Sequence, residues 1–325
     1  MMKTLSILIF ALIGISTYNC DENNSSMTNS RDSLIQIDAW HTIVALGESI
    51  YVGGQEGTLA SVSLEDGIKN TIKTDLDIPY LLPQENNVMA IGRWNSSITY
   101  WQKNSEKTKQ KEPLFTGRVS AVSANGTHNY IAGANKETES EYQKNKDIVR
   151  LLPGEIYKLS EEKTPHKLDI KTTGTISHLL ATNGALVFVQ DSEKNTITIV
   201  KPDESENEII SGSGEITALS GKDHWVYYAT TTEVVEIDLN ELETITNTPL
   251  PDKFLRILKL IKCENELFLL TSEGVFVLSS LKKVSGHSGQ PSDITAYNEG
   301  VLFLWQDGTV EFYKQGAELT TIHLN

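Results

Sequence analysis

The sequence contains almost no cysteine: among 325 residues there are only two, Cys20 and Cys263. A disulfide framework needs several cysteine pairs and a structural zinc site of the common type needs two to four thiolates, so neither can be the basis of the fold. The histidines do not indicate a metal site either. The seven histidines are scattered, without His-x-His or His-Glu-x-x-His spacing, so we expect no metal and no cofactor.

An excess of basic charge is also missing, because the formal net charge is -15. Nucleic acids and anionic lipid surfaces require the opposite sign, so neither is an expected partner. No stretch has the period of a convincing amphipathic helix. The Gly53-Gly54 pair and the glycines of residues 211–214 therefore read as turns between strands rather than as phosphate-binding loops. Neighbouring acidic residues fall in polar turns, where they do not indicate an acid/base pair.

What the sequence does contain is a repeated pattern of short strands. Residues 42–67, TIVALGESIYVGGQEGTLASVSLEDG, read as three strands, with a compact apolar run, an alternating segment, a glycine-rich turn and a second alternating segment. Residues 69–73 follow as a fourth, polar strand. The unit is thus a four-stranded antiparallel sheet of about 40 residues.

The first-strand signature recurs along the whole chain, starting at residues 43, 119, 176, 216, 257 and 294, with a degenerate copy at residues 81–82. The last four copies are separated by 40, 41 and 37 residues. A period near 40 with four strands per unit predicts a β-propeller, whose blades bury their faces only when they stack. We therefore predict an all-β fold with seven four-stranded blades over residues 32–325.

A resemblance follows from the first repeat. Residues 51–59, YVGGQEGTL, and residues 65–67, EDG, resemble the repeat of quinoprotein-like and WD-repeat-like propellers. True WD repeats carry Trp-Asp dipeptides, which this chain lacks. Among quinoprotein-like propellers, lipoproteins of the outer-membrane assembly machinery serve as scaffolds, and some seven-bladed surface lipoproteins of gut bacteria capture cobalamin or glycans. No ligand residue of these proteins can be matched here, so the resemblance implies a fold and leaves the function open.

Residues 1–20 read as a signal peptide with a lipobox-like end. Lys3 precedes a charge-free apolar run at residues 5–15, which is too short to span a bilayer. Cys20 and the polar run after it resemble the lipidation site of bacterial lipoproteins, although Thr17 and Asn19 depart from the usual residues. We expect a lipid on Cys20 and an outer-membrane lipoprotein facing the periplasm or the cell surface. The alternative is an ordinary signal peptide that leaves Cys20 as a stray thiol.

The segment after the signal peptide is predicted to join it to the propeller. Residues 21–31 are polar and read as a disordered tether. Residues 33–38 read as a strand at the outer edge of blade seven, alongside or instead of residues 319–324, which would close the ring by strand exchange. Cys263 follows the mainly apolar residues 255–261 and reads as a buried structural thiol rather than a catalytic one. A disulfide between Cys20 and Cys263 remains an alternative.

Residues just before each first strand are far apart in sequence but are predicted to meet around one mouth of the central channel. Aromatic and arginine side chains dominate binding hot spots, so this ring is a candidate site for a ligand or partner. The alternative is a set of blade-packing aromatics and solvated charges. The candidates are Trp40, His41, Tyr80, Arg118, Thr175, Glu215, Phe254, Arg256 and Asp293. His178 lies in a first strand and reads as a satisfied interior histidine.

An insertion at residues 134–153 joins the second and third strands of blade three. That connection emerges on the same face as the candidate ring. Long polar loops over a binding face often carry function, and the alternative is a decoration with local contacts only.

These observations predict a non-catalytic, extracytoplasmic binding or scaffold lipoprotein of a bacterial cell envelope. Its loop-bearing face would hold an envelope protein or a small ligand, and it would touch the membrane through its lipid alone. The alternative is a propeller-based carbohydrate-active enzyme, either a lyase or a glycosidase. Such an enzyme would gather histidine, tyrosine, arginine and acidic side chains in one pocket on that face.

Overall fold

The fold consists of seven antiparallel sheets of four strands each, arranged as the blades of a propeller. The structure is a computed structural model. It describes residues 39–77, 79–102, 108–125, 128–136, 153–159, 164–182, 185–190, 196–201, 206–210, 214–251, 254 and 256–324. The expected all-β architecture and the blade number are confirmed. The signal peptide, Cys20, the tether and the strand at residues 33–38 lie outside the described residues, as do residues 137–152 of the insertion.

The first four blades follow one another along the chain. Blade one contains β1 (Trp40–Leu46), β2 (Ser49–Gly54), β3 (Thr58–Ser63) and β4 (Gly67–Lys73). Blade two contains β5 (Pro79–Pro83), β6 (Asn87–Gly92), β7 (Ile98–Gln102) and β8 (Thr108–Lys111). Blade three contains β9 (Arg118–Asn125), β10 (His128–Ala134), β11 (Glu155–Leu159) and β12 (His166–Lys167). Blade four contains β13 (Ile176–Ala181), β14 (Leu186–Gln190), β15 (Thr196–Val200) and β16 (Glu206–Ile210).

The other three blades complete the ring. Blade five contains β17 (Ala218–Lys222), β18 (Trp225–Ala229), β19 (Glu233–Asp238) and β20 (Glu243–Pro249). Blade six contains β21 (Ile257–Cys263), β22 (Glu266–Thr271), β23 (Gly274–Val277) and β24 (Lys282–Lys283). Blade seven contains β25 (Pro291–Tyr297), β26 (Gly300–Trp305), β27 (Thr309–Tyr313) and β28 (Thr320–His323). In the described part of the chain, no helix is long and apolar enough to cross a membrane.

The first strand of every blade is the innermost one, since it contacts the first strands of both neighbouring blades around the whole ring. Consecutive strands within a blade are antiparallel, so three kinds of feature share one face of the propeller. These are the starts of the first strands, the turns between second and third strands, and the connections between blades. We call this face the top face.

The core is divided among the contacts between blades. Each of the seven clusters of buried side chains joins two neighbouring blades. Strands two and three are apolar on both faces because each blade is covered on both sides by others. Outer strands such as β20 are exposed and polar. A single blade could not bury its apolar faces alone, and stacking of the repeat therefore stabilises the fold.

Blade seven closes against blade one through hydrogen bonds. The Trp40 amide donates to Gln306 O at 3.0 Å, and the Ser292 hydroxyl donates to Trp40 O at 2.7 Å. The outer strand of blade seven is β28, which pairs with β27. The expectation that an N-terminal strand replaces residues 319–324 is therefore wrong, because the C-terminal segment occupies that position. A strand alongside it would lie outside the described residues.

Candidate functional site

The central channel opens into a cavity of about 530 Å³ lined by the first strands. The alternation of strand residues brings one set of side chains from each blade to this space. The lining includes His41 and Thr42 from β1, Tyr80 from β5, Ser120 from β9, His178 from β13 and Lys259 from β21. The volume is that of a small-molecule site.

Several of these side chains reach the channel through β-bulges at the top of the first strands. Strands β1, β9, β13, β21 and β25 each shift register there by one extra residue. The extra residues are His41, Ser120, Ser177, Leu258 and Ser292, and all five line the cavity. A bulge re-aims a side chain that regular pairing would direct elsewhere, and bulges recur next to functional sites. Four of these five residues are polar, so the bulges contribute to the polar character of the channel mouth.

Polar side chains of blades one, two and three meet at one part of the mouth. The guanidinium of Arg93 lies 4.8 Å from the centre of the Tyr80 ring. The Tyr80 hydroxyl donates to Ser120 O at 3.3 Å. Burial raises the pKa of Tyr80, although the charges of Arg93 and Arg118 oppose the change. Burial and the charge of Arg93 lower the pKa of His41, so at neutral pH the phenol is protonated and the imidazole is neutral.

An exposed tryptophan stands beside these groups on the top face. Trp94 is 55% exposed, and the guanidinium of Arg118 lies 5.8 Å from the centre of its ring. The Trp94 amide donates to Asp77 Oδ2 at 2.6 Å, which fixes the turn between β6 and β7. We call His41, Tyr80, Arg93, Trp94 and Arg118 the mouth cluster. It combines an exposed aromatic ring with two arginines, a composition typical of binding hot spots.

Two predicted candidates of the ring are buried in the core. Trp40 packs between blades seven and one, and Phe254 packs between blades five and six. Neither side chain lines the channel cavity, so both fit the alternative of blade packing. The physical reason is that each residue lies near the start of a first strand, where a neighbouring blade covers its side chain.

Three other candidates form ion pairs on the top face. Arg256 and Glu215 approach within 3.9 Å, and both side chains are largely exposed. Asp293 is buried and accepts four hydrogen bonds, including one from Lys259 Nζ at 2.6 Å. Asp293 lines the channel, but its carboxylate oxygens already accept hydrogen bonds from blades six, seven and one. Thr175 lies just before β13 and does not line the channel cavity.

The two interior residues considered in the sequence behave as satisfied core groups. His178 faces the channel, with Nδ1 3.1 Å from Ser177 Oγ and Nε2 3.1 Å from Thr217 O. Cys263 is buried, and its thiol donates to Gly300 O. Burial raises the pKa of this thiol, which disfavours a nucleophilic thiolate.

Arg93 and Trp94 are site residues that the sequence reasoning missed. They lie in the turn between β6 and β7, which emerges on the top face like the predicted insertion of blade three. The same topological argument, applied to every connection between second and third strands, would have found them. An exposed tryptophan in a turn flanked by arginine and asparagine is the signal.

A buried carboxylate on blade seven was missed as well. Glu311 accepts hydrogen bonds from the amides of Gly286 and His287 at 3.0 and 2.8 Å and from Trp305 Nε1 at 3.1 Å. His287 Nε2 also lies 2.8 Å from Asp307 Oδ2. These contacts fix the connection into blade seven on the top face. In the described part of the chain, no group of three or more histidine, cysteine or acidic side chains could hold a metal ion.

Comparison with known proteins supports the architecture. No protein-family model and no curated protein sequence matches the chain. The WD40 domain of Neurospora crassa Pan2 matches with a TM-score of 0.64 and 12% identity, over 88% of this chain and 91% of that one. The likeness is one of fold.

A computationally designed protein, Ika8, is similar as well. Its TM-score is 0.58 at 13% identity, over 86% of this chain and 84% of that one. At such low identity the shared feature is the propeller itself, with a WD40 domain among its structural neighbours. The resemblance to quinoprotein-like propellers and the lipid anchor stay predictions.

Proposed function

We propose that this chain is a non-catalytic binding protein of a bacterial cell envelope, anchored by a lipid on Cys20 and presenting its top face to a partner protein or small ligand. The observation that carries the proposal is the mouth cluster. Propellers of this fold commonly act as interaction scaffolds. An exposed aromatic ring beside arginine side chains is well suited to contact a partner, because these residue types are enriched in binding hot spots.

The test of this proposal is recovery of the partner from solubilised envelope with the full, tagged chain. Wild type, Trp94→Ala and Arg118→Ala are compared with Ile245→Ala. Ile245 is a matched control because it is a 49% exposed apolar residue on the outer strand of blade five. A hot spot contributes about 2 kcal/mol, so Trp94→Ala should weaken capture roughly thirty-fold. Undiminished recovery with Trp94→Ala would overturn the role of the top face.

The anchor is tested separately with Cys20→Ser. Lipidation supplies membrane attachment in this account, so the variant should move from the membrane fraction to the soluble fraction. Unchanged membrane association would contradict the lipoprotein assignment. The outcome does not bear on the top face, because Cys20 precedes the propeller in the chain.

The second candidate function is a carbohydrate lyase or glycosidase, which the meeting of His41, Tyr80 and Arg93 in one cavity favours. A neutral imidazole can act as a general base. The number of carboxylates argues against an enzyme. Asp293 is the one carboxylate among the described residues lining the cavity, and it already accepts four hydrogen bonds. Glycosidases use two carboxylates. Turnover of an acidic or neutral polysaccharide that disappears in His41→Ala would establish the enzyme.

A further inference from the structure

The mouth cluster contains two arginines for which the described part of the chain supplies no anionic partner. Among the described residues, neither Arg93 nor Arg118 forms an ion pair. The Nε atoms of both arginines and Nε2 of His41 are shielded from solvent without a hydrogen-bond partner. Buried polar groups are normally hydrogen-bonded, because an unmade hydrogen bond in a shielded place costs about 1–3 kcal/mol. Eleven side-chain atoms of the described residues are buried in this way, and two of them belong to residues that line the cavity, His41 and Arg93.

The acidic groups nearby do not complete it. Asp293 is committed to Thr42, Ile43, Ile294 and Lys259. Asp77 accepts a hydrogen bond from the Trp94 amide through Oδ2, its Oδ1 is buried without a hydrogen-bond partner, and among the described residues it forms no ion pair with either arginine. Counting Arg93, Arg118 and Lys259 against these two carboxylates leaves the mouth with a local excess of positive charge. The whole chain carries a net charge of -15, so this excess is a local exception to the overall sign.

We propose that the mouth of the channel binds the anionic group, a carboxylate or a phosphate, of a small organic ligand, with Arg93 as its principal cation and His41 as a hydrogen-bonding neighbour. This inference rests on the binding function proposed above and adds the chemical class of the ligand. A guanidinium presents parallel N–H donors that match both carboxylate and phosphate oxygens. A cavity of about 530 Å³ accommodates the remainder of a small molecule and excludes a folded domain.

The position of Arg93 supports its assignment as the principal cation. Its side chain lines the cavity, whereas Arg118 lies outside the lining and packs over Trp94. The Tyr80 ring supports the Arg93 guanidinium from one side, which limits its freedom and reduces the entropy lost on binding. The neutral imidazole of His41 adds a hydrogen bond without adding charge. Both groups are therefore in place before a ligand arrives.

Thermal unfolding of the full chain in phosphate, citrate and chloride at equal ionic strength tests the inference. A ligand that binds only the folded state raises the midpoint in a saturable way. We expect such a rise in phosphate, in citrate or in both, and none in chloride. A rise in phosphate alone identifies a phosphate group, and a rise in citrate alone identifies a carboxylate. An equal rise in chloride would overturn the inference, as would no rise in either anion.

Arg93→Gln should lower the apparent affinity for the effective anion at least tenfold. Arg256→Gln is the matched control, because Arg256 is an exposed arginine on the same face that pairs with Glu215. The control should respond like wild type. An equal response of the two variants would overturn the role of Arg93.

A second measurement works on wild type and does not depend on the folding of a variant. The sequence has five arginines, so a ¹⁵N spectrum contains five side-chain Nε–H signals, which Arg118→Gln and Arg256→Gln help to assign. The Arg93 signal should shift with the effective anion while the Arg256 signal stays. A stationary Arg93 signal at saturation would overturn the inference. If a protein partner is still captured through Trp94, the proposed function survives and the anion site alone fails.

Discussion

Two sets of charged groups on the top face differ in how completely they are satisfied. The carboxylates of blade seven, Asp293 and Glu311, are buried and accept hydrogen bonds from donors of neighbouring segments. The cations of the mouth cluster, Arg93 and Arg118, stand without carboxylate partners in the described part of the chain. Satisfied buried groups contribute to stability, whereas unpartnered groups beside a cavity are available to a ligand. The difference separates the charges that stabilise the ring of blades from those that are available to bind a ligand.

The largest effect is expected from Asp293→Ala. The substitution leaves the Ile43 amide, the Thr42 hydroxyl and Lys259 without their acceptor at the contact between blades one, six and seven. Loss of a buried charged acceptor should lower the free energy of unfolding by about 3 kcal/mol, measured by urea denaturation. Glu215→Ala is the control, since its carboxylate is exposed on the same face. Equal stabilities of the two variants would refute the structural role of Asp293.

Glu311→Gln should have an intermediate effect. The amide oxygen can still accept from Gly286 and His287, but the amide nitrogen then faces the Trp305 Nε1–H donor. We expect a loss of about 1–2 kcal/mol of unfolding free energy, because one buried donor is left unpaired. An unchanged denaturation midpoint would show that the network does not stabilise blade seven.

The mouth cluster should behave in the opposite way. Arg93 forms no ion pair with any described residue, so Arg93→Gln should change the free energy of unfolding by no more than about 0.5 kcal/mol. Ligand affinity should fall in the same variant, as measured by the anion titration. A stability loss as large as that of Asp293→Ala would place Arg93 with the structural charges instead.

A smaller effect concerns acid. Burial raises the pKa of Asp307, but hydrogen bonds from Thr309 and the interaction with His287 outweigh it and hold the pKa below its usual value. A carboxyl group with a lowered pKa in the folded state contributes stability above its unfolded value, about 3.9, and loses it as the pH falls through the folded value. Below about pH 4, wild type should therefore lose stability more steeply than Asp307→Asn. Parallel pH profiles of the unfolding midpoint would contradict this.

The blades were predictable from the sequence because each strand carries its own alternation of apolar residues. The first-strand starts predicted at residues 176 and 257 coincide with the first residues of β13 and β21. The first strand of blade five was expected at residue 216 and begins at Ala218. The local alternation of apolar residues therefore locates the strands well, because the same residues determine strand pairing and burial.

The site was less predictable, because it depends on features that have no local signature. Trp40 and His41 are neighbours in the sequence, yet the bulge in β1 directs His41 into the channel while Trp40 enters the core. Asp293 was correctly placed near the channel, but its four donors come from residues as distant as Thr42. Arg93 was missed because turns were not treated as part of the ring. Such arrangements are fixed by tertiary contacts rather than by periodicity.

The central claim is that Arg93 serves a ligand whereas Asp293 serves the fold. The most direct test measures both unfolding free energy and anion affinity for the full chain carrying Arg93→Gln. We predict that stability stays within about 0.5 kcal/mol of wild type while affinity falls at least tenfold. Retained affinity together with a stability loss near 3 kcal/mol, the size expected for removal of a buried structural charge, would contradict the account.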